Sequence, residues 1–155
     1  MMKSNITATT TVNIQARASA VWSALTRPEL IKQYFFGTDA ISDWREGSPI
    51  IFKGEWQGKS YEDKGTILII EPEKLLRYSY WSSMSGIEDK PENYSIITYE
   101  LFQEDGITTL TITQDNIPDE ETKIHSEQNW RKVMNGLKEL LEEKLAAPEE
   151  DLRPG

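Results

Sequence analysis

The chain contains no cysteine among its 155 residues, so neither a disulfide nor thiolate chemistry is open to it, and it fits a reducing cytoplasm. Histidine is nearly absent as well. His125 stands alone, and a zinc site needs more nitrogen or sulfur ligands than one imidazole supplies. Basic residues are few: 17 Lys and Arg face 26 Asp and Glu, a formal net charge of −9. That balance argues against nucleic acid and against an anionic membrane surface, both of which require a basic face. Long apolar runs are missing too. The longest aliphatic stretch is Ile67-Leu68-Ile69-Ile70, far short of a membrane span, and the opening MMKSNITATTTVNI lacks the apolar core of a signal peptide. No Gly-rich phosphate loop, serine-centred elbow or dinucleotide fingerprint occurs. The acidic group Asp115, Asp119, Glu120 and Glu121 lacks the alternating carboxylates and central glycine of a calcium loop. No metal or cofactor is expected.

Aromatic residues are what the chain does have: five Trp, six Tyr and four Phe. Their distribution follows two periods. In Ala20–Phe36, AVWSALTRPELIKQYFF, the stripe Val21, Trp22, Leu25 and then Leu30, Ile31, Tyr34, Phe35 predicts two short helices meeting at Pro28. Thr26 is expected to cap the second, Pro28 to occupy its first turn, and Gly37 to end it. Elsewhere the period is two. Strands are expected around Ile6–Ile14, Ala40–Trp44, Pro49–Trp56, Tyr61–Ile70, Leu76–Tyr80, Ile96–Leu101 and Thr109–Thr113, most joined by turns so short that neighbours must be antiparallel. Gln57-Gly58-Lys59 and Glu104-Asp105-Gly106 are turn signals, and Ser82–Glu92 reads as a loop.

From about Asp119 to about Ala146 the period returns to 3.6. Trp130, Val133, Met134, Leu137, Leu140, Leu141 and Leu145 form one apolar face of a helix about 40 Å long, capped by Asp119. Residues 1–147 are expected to form one domain, and 148–155, beyond the Pro148 stop, a frayed tail.

This order resembles the START/Bet v 1-like superfamily, and within it the short bacterial form of the family named after the activator of Hsp90 ATPase. The carrying motifs are Val21, Trp22, Ala24, Leu25, Thr26, Pro28 and Ile31; then Gly65 to Pro72; then Ile97–Leu101 and Thr109–Gln114; and Asn129-Trp130-Arg131 at the last helix. The resemblance implies an α+β helix-grip fold, in which a seven-stranded antiparallel sheet curves around the C-terminal helix. It also implies a cavity between the two, of the kind that takes lipids, sterols, polyketides or hormones in that superfamily. A single helix cannot fill the concave side of such a sheet, so large side chains or a ligand must.

Residues at inward parity are the candidates to line that cavity: Tyr34, Phe35, Phe52, Trp56, Tyr78, Tyr80, Ile97, Tyr99, Leu110, Ile112, Gln114, Trp130, Met134 and Leu137. Each aromatic among them, taken alone, reads equally well as core. Four of the eight aromatics among them are tyrosines, whose buried hydroxyls need partners. Glu55, Asp63, Arg77 and Glu100 fall on strands, where an inward one would serve as acid or base, although strand charges usually face solvent. The expected function is non-enzymatic binding of a small hydrophobic or aromatic molecule by a monomer or homodimer. The alternatives are a polyketide cyclase or dehydratase working in the same cavity, and a module that docks on an Hsp90-type chaperone.

Overall fold

The computed structural model describes residues 6–83 and 86–146. The expected tail at 148–155 lies outside them. Strand β1 (Ile6–Ile14) is followed by helices α1 (Ala18–Thr26) and α2 (Pro28–Tyr34). Strands β2 (Asp39–Ser42), β3 (Pro49–Trp56), β4 (Lys59–Glu71), β5 (Leu75–Tyr80), β6 (Ser95–Glu104) and β7 (Ile107–Ile117) come next, and helix α3 (Glu120–Ala146) closes the order. All seven strands form one antiparallel sheet in the order β1-β7-β6-β5-β4-β3-β2. The α+β helix-grip architecture is therefore present, with β1 and β2 as edges and α3 packed mainly against β1 and α2.

Turn chemistry sets the register. At the β3–β4 hairpin, Gln57 and Gly58 have φ of 52° and 80°; at the β6–β7 hairpin, Asp105 and Gly106 have 54° and 79°. Both loops have two residues with positive φ, the geometry whose twist matches that of the flanking strands. Trp56 thus pairs with Lys59, and Glu104 with Ile107.

The run Ile67–Ile70 is less uniform than its composition. An extra residue on β4 shifts the β4–β5 register between Ile67 and Ile69, leaving Ile67 fully buried and Leu68 40% exposed. Nearby, a Cβ on Gly65 would lie 1.6 Å from the Ser79 carbonyl oxygen, so only glycine permits the strands to approach there.

The helix junction also differs from expectation. Thr26 belongs to α1, and its hydroxyl donates back to the Trp22 carbonyl at 2.8 Å, so it does not cap α2. Arg27 holds the cap position without a side-chain hydrogen bond, and Pro28 takes the first turn as expected. After Tyr34 the chain turns through Phe36 and Gly37, both at positive φ. At α3 the expected cap is present: Asp119 Oδ1 accepts the Thr122 N–H at 2.8 Å. Trp130, Val133, Met134, Leu137 and Leu141 are buried toward the sheet, and Leu140 is half-buried. The side chains of Leu145 and Trp56 lie outside the described set.

Candidate functional site

The aromatics divide into a closed core and an open cleft. In the core, Tyr78 and Tyr99 share a hydroxyl–hydroxyl hydrogen bond of 2.7 Å with rings edge to face, and the Tyr34 hydroxyl donates to the Ala24 carbonyl at 2.7 Å. Their hydroxyl partners are thus supplied from within the protein. Burial pushes all three phenols above their ordinary range. Ile97, Leu110, Ile112, Met134 and Leu137 are at most 1% exposed and pack in the same core. The void left among Tyr34, Ile50, Leu76, Tyr78 and Tyr99 is about 10 Å³, at the lower limit for one water.

The outer half stays open. A cleft of about 370 Å³ lies between α3, the α2–β2 turn and strands β3, β4, β5 and β7. Phe35 stacks on Phe52 with centroids 5.7 Å apart, and meets the edge of Trp130 at 6.0 Å. Trp130 is anchored by its indole N–H, which donates to Gln114 Oε1 at 2.9 Å. Val133, Asn129 and Ser126 stand within four residues of Trp130 on α3, with Lys132 exposed on the rim. Phe36 is held at the mouth by its left-handed backbone.

One end of the cleft is polar. Phe52 and Asp63 are directly opposed in the β3–β4 pairing, so they share a face, and Tyr61 lies two residues before Asp63 on that face. Tyr61 lies over Gly54, where a Cβ would clash with its ring, and its hydroxyl pairs with that of buried Thr38. Tyr80 donates its hydroxyl to Asp63 Oδ2 at 2.7 Å, and the Ser83 N–H reaches Asp63 Oδ1 at 3.2 Å. Burial first, then the Asp63 charge, raises the Tyr80 phenol well above its ordinary range.

Of the residues singled out by parity, the structure brings Phe35, Phe52, Tyr80, Gln114 and Trp130 to the cleft wall. Tyr34, Tyr78, Ile97, Tyr99, Leu110, Ile112, Met134 and Leu137 sit behind it as core. Among the four strand charges, Asp63 alone lines the cleft. Glu55 and Glu100 are exposed, and Arg77 donates to Thr98 at 3.0 Å. Phe36, Thr38, Tyr61, Ser126, Asn129, Lys132 and Val133 were not anticipated. Helical spacing from Trp130 was the available signal for Asn129 and Val133, and strand parity with Asp63 for Tyr61. His125 is exposed, and among the described residues no group of His, Asp or Glu is arranged to hold a metal. A second depression, about 380 Å³, is bordered by Gln15, Arg17, Ser19 and Gly106 but has no aromatic wall.

Residues 15–142 match the family model described as activator of Hsp90 ATPase homolog 1-like protein. The chain belongs to that family. Among solved structures it is similar to ChR145 of Cytophaga hutchinsonii, 45% identical over 95% of this chain and 100% of that one, with a TM-score of 0.80. The Aha1 dimer of Colwellia psychrerythraea shares the fold at 18% identity, covering 88% of this chain and 96% of that one, TM-score 0.69. DynU16, from the dynemicin biosynthetic locus, shares it at 17% identity, TM-score 0.75; the match takes in 90% of this chain but 48% of that one. No functionally curated protein matches. The last two structures, both under 25% identical, show that the fold is shared. Among the described residues no helix is long and apolar enough to cross a membrane.

Proposed function

We propose that the protein binds a small aromatic or hydrophobic molecule in the cleft between sheet and α3, without transforming it. The observation that carries this reading is the cleft's composition. Stacked Phe35 and Phe52 and the edge-on Trp130 form an apolar wall that ends in a short polar set, Tyr61, Asp63 and Tyr80. Its volume falls within the range of small-molecule sites, and such sites combine apolar walls with a few fixed polar groups. A protein that used this face only to dock on a chaperone would gain little from a concave wall with buried polar groups.

The test uses N-phenyl-1-naphthylamine, a neutral probe that brightens in apolar surroundings. Wild type should enhance its emission saturably. Asn129→Trp, on an exposed helix position at the cleft wall, should abolish the enhancement while circular dichroism stays unchanged. No enhancement by wild type refutes the reading. The second reading, a cyclase or dehydratase, is favoured by the Tyr80–Asp63 hydrogen bond, which sets a potential acid beside a potential base. Turnover of a poly-β-ketone by wild type, lost in Asp63→Asn, would put it first.

A further inference from the structure

The identity of the polar end narrows the ligand further. We infer that the cleft selects a cationic aromatic molecule, a flat ring bearing a protonated amine, with Asp63 as its counter-ion. This rests on the cleft being a binding site.

Asp63 is 9% exposed and lines the cleft. Among the described residues its hydrogen-bond donors are the Tyr80 hydroxyl and the Ser83 N–H, and neither carries a charge. They use about half of the roughly four acceptor positions a carboxylate offers. Among the described residues no Lys, Arg or His nitrogen comes within 4.0 Å of it. The cations nearest in the sheet are committed elsewhere. Lys64, the next residue on β4, projects to the opposite face and pairs with Asp89 at 2.7 Å, while Lys53 pairs with Glu62 at 3.6 Å. Buried carboxylates are ordinarily matched by a cation, and this one faces an open cleft instead.

The surrounding rings supply an independent argument. Phe35, Phe52, Tyr80 and Trp130 border the same space, and aromatic faces carry the negative part of the ring quadrupole, which attracts organic cations. A ring with an ammonium group would stack on the wall and place its charge toward Asp63. Lys132 is the opposing charge on the rim, but it stands in solvent, where its effect is screened. The net charge of −9 favours the approach of a cation and disfavours that of an anion.

The test is a titration with three probes that share one ring system: 1-naphthylmethylamine, 1-naphthylmethanol and 1-naphthylacetate. Affinities are read from amide and indole shifts in two-dimensional NMR at pH 7. The amine should bind wild type at least about tenfold tighter than the alcohol, with the acetate weakest. In Asp63→Asn the affinities of the amine and the alcohol should converge to within about twofold. Glu62→Gln, on the exposed neighbour, should retain the wild-type ranking, which separates a local counter-ion from the general field. Equal affinities of amine and alcohol for wild type would overturn the inference and leave the cleft reading intact. Binding of none of the three would overturn both. Should Asp63→Asn fail to fold, the wild-type ranking together with Glu62→Gln still decides.

Discussion

The paired hydroxyls of Tyr78 and Tyr99 offer a quantitative check on the packing behind the cleft. Tyr78 is 1% exposed and Tyr99 5%, their oxygens are 2.7 Å apart, and among the described residues neither hydroxyl makes another hydrogen bond. Tyr78→Phe therefore strands the Tyr99 hydroxyl, and Tyr99→Phe strands that of Tyr78. A buried unpartnered polar group costs about 1–3 kcal/mol, whereas replacing both partners by apolar groups of the same shape is close to neutral. Each single substitution should thus lower stability by about 1–2 kcal/mol. The double variant should lose under about 1 kcal/mol, so the two losses should be coupled by at least about 1 kcal/mol, as expected for groups in contact. Urea unfolding measures this through midpoints at constant m. For a domain of 155 residues each kcal/mol also corresponds to about 2–4 °C in Tm. Losses that add to within about 0.5 kcal/mol would refute the reasoning, because they would show each hydroxyl to be satisfied independently of the other.

Leu137, fully buried on α3 against the sheet, should cost about 2–5 kcal/mol on Leu137→Ala in the same assay, and a loss below about 0.5 kcal/mol would contradict the helix register. At Asp119, the hydrogen bonds of Thr122 hold the carboxyl below its ordinary range. A depressed folded-state pKa means stabilisation that is complete above the unfolded value of about 3.9 and lost as pH falls through the lower folded value. The Tm gap between wild type and Asp119→Ala should therefore be open at pH 7 and close in acid, and a gap that persists unchanged below about pH 2 would refute the cap's ionic character.

Much of the fold could be read from period alone. The 3.6-residue stripe from Trp130 to Leu141 and the alternation on β5, β6 and β7 are local properties, and local geometry determines which face is buried. The two-residue turns were legible because positive φ has a narrow residue preference. Thr26 was misjudged because its neighbours allow two uses of one hydroxyl, and the choice depended on how far α1 extends.

The site is another matter. Strand parity placed Tyr78, Tyr80 and Tyr99 on the inner face, and there it stopped. Whether an inward side chain meets another side chain or open space depends on where α3 and the α2–β2 turn lie along the sheet, which is a long-range packing outcome. The tertiary structure closed the core over Tyr78 and Tyr99, left Tyr80 at the cleft, and turned one of four strand charges toward it. Sequence by itself determined the elements, their order and the absence of cysteine chemistry, because each rests on composition or short-range geometry. Only the tertiary structure decided which aromatics form a wall and that Asp63 stands there, among the described residues, without a cation, because both depend on contacts between residues far apart in the chain.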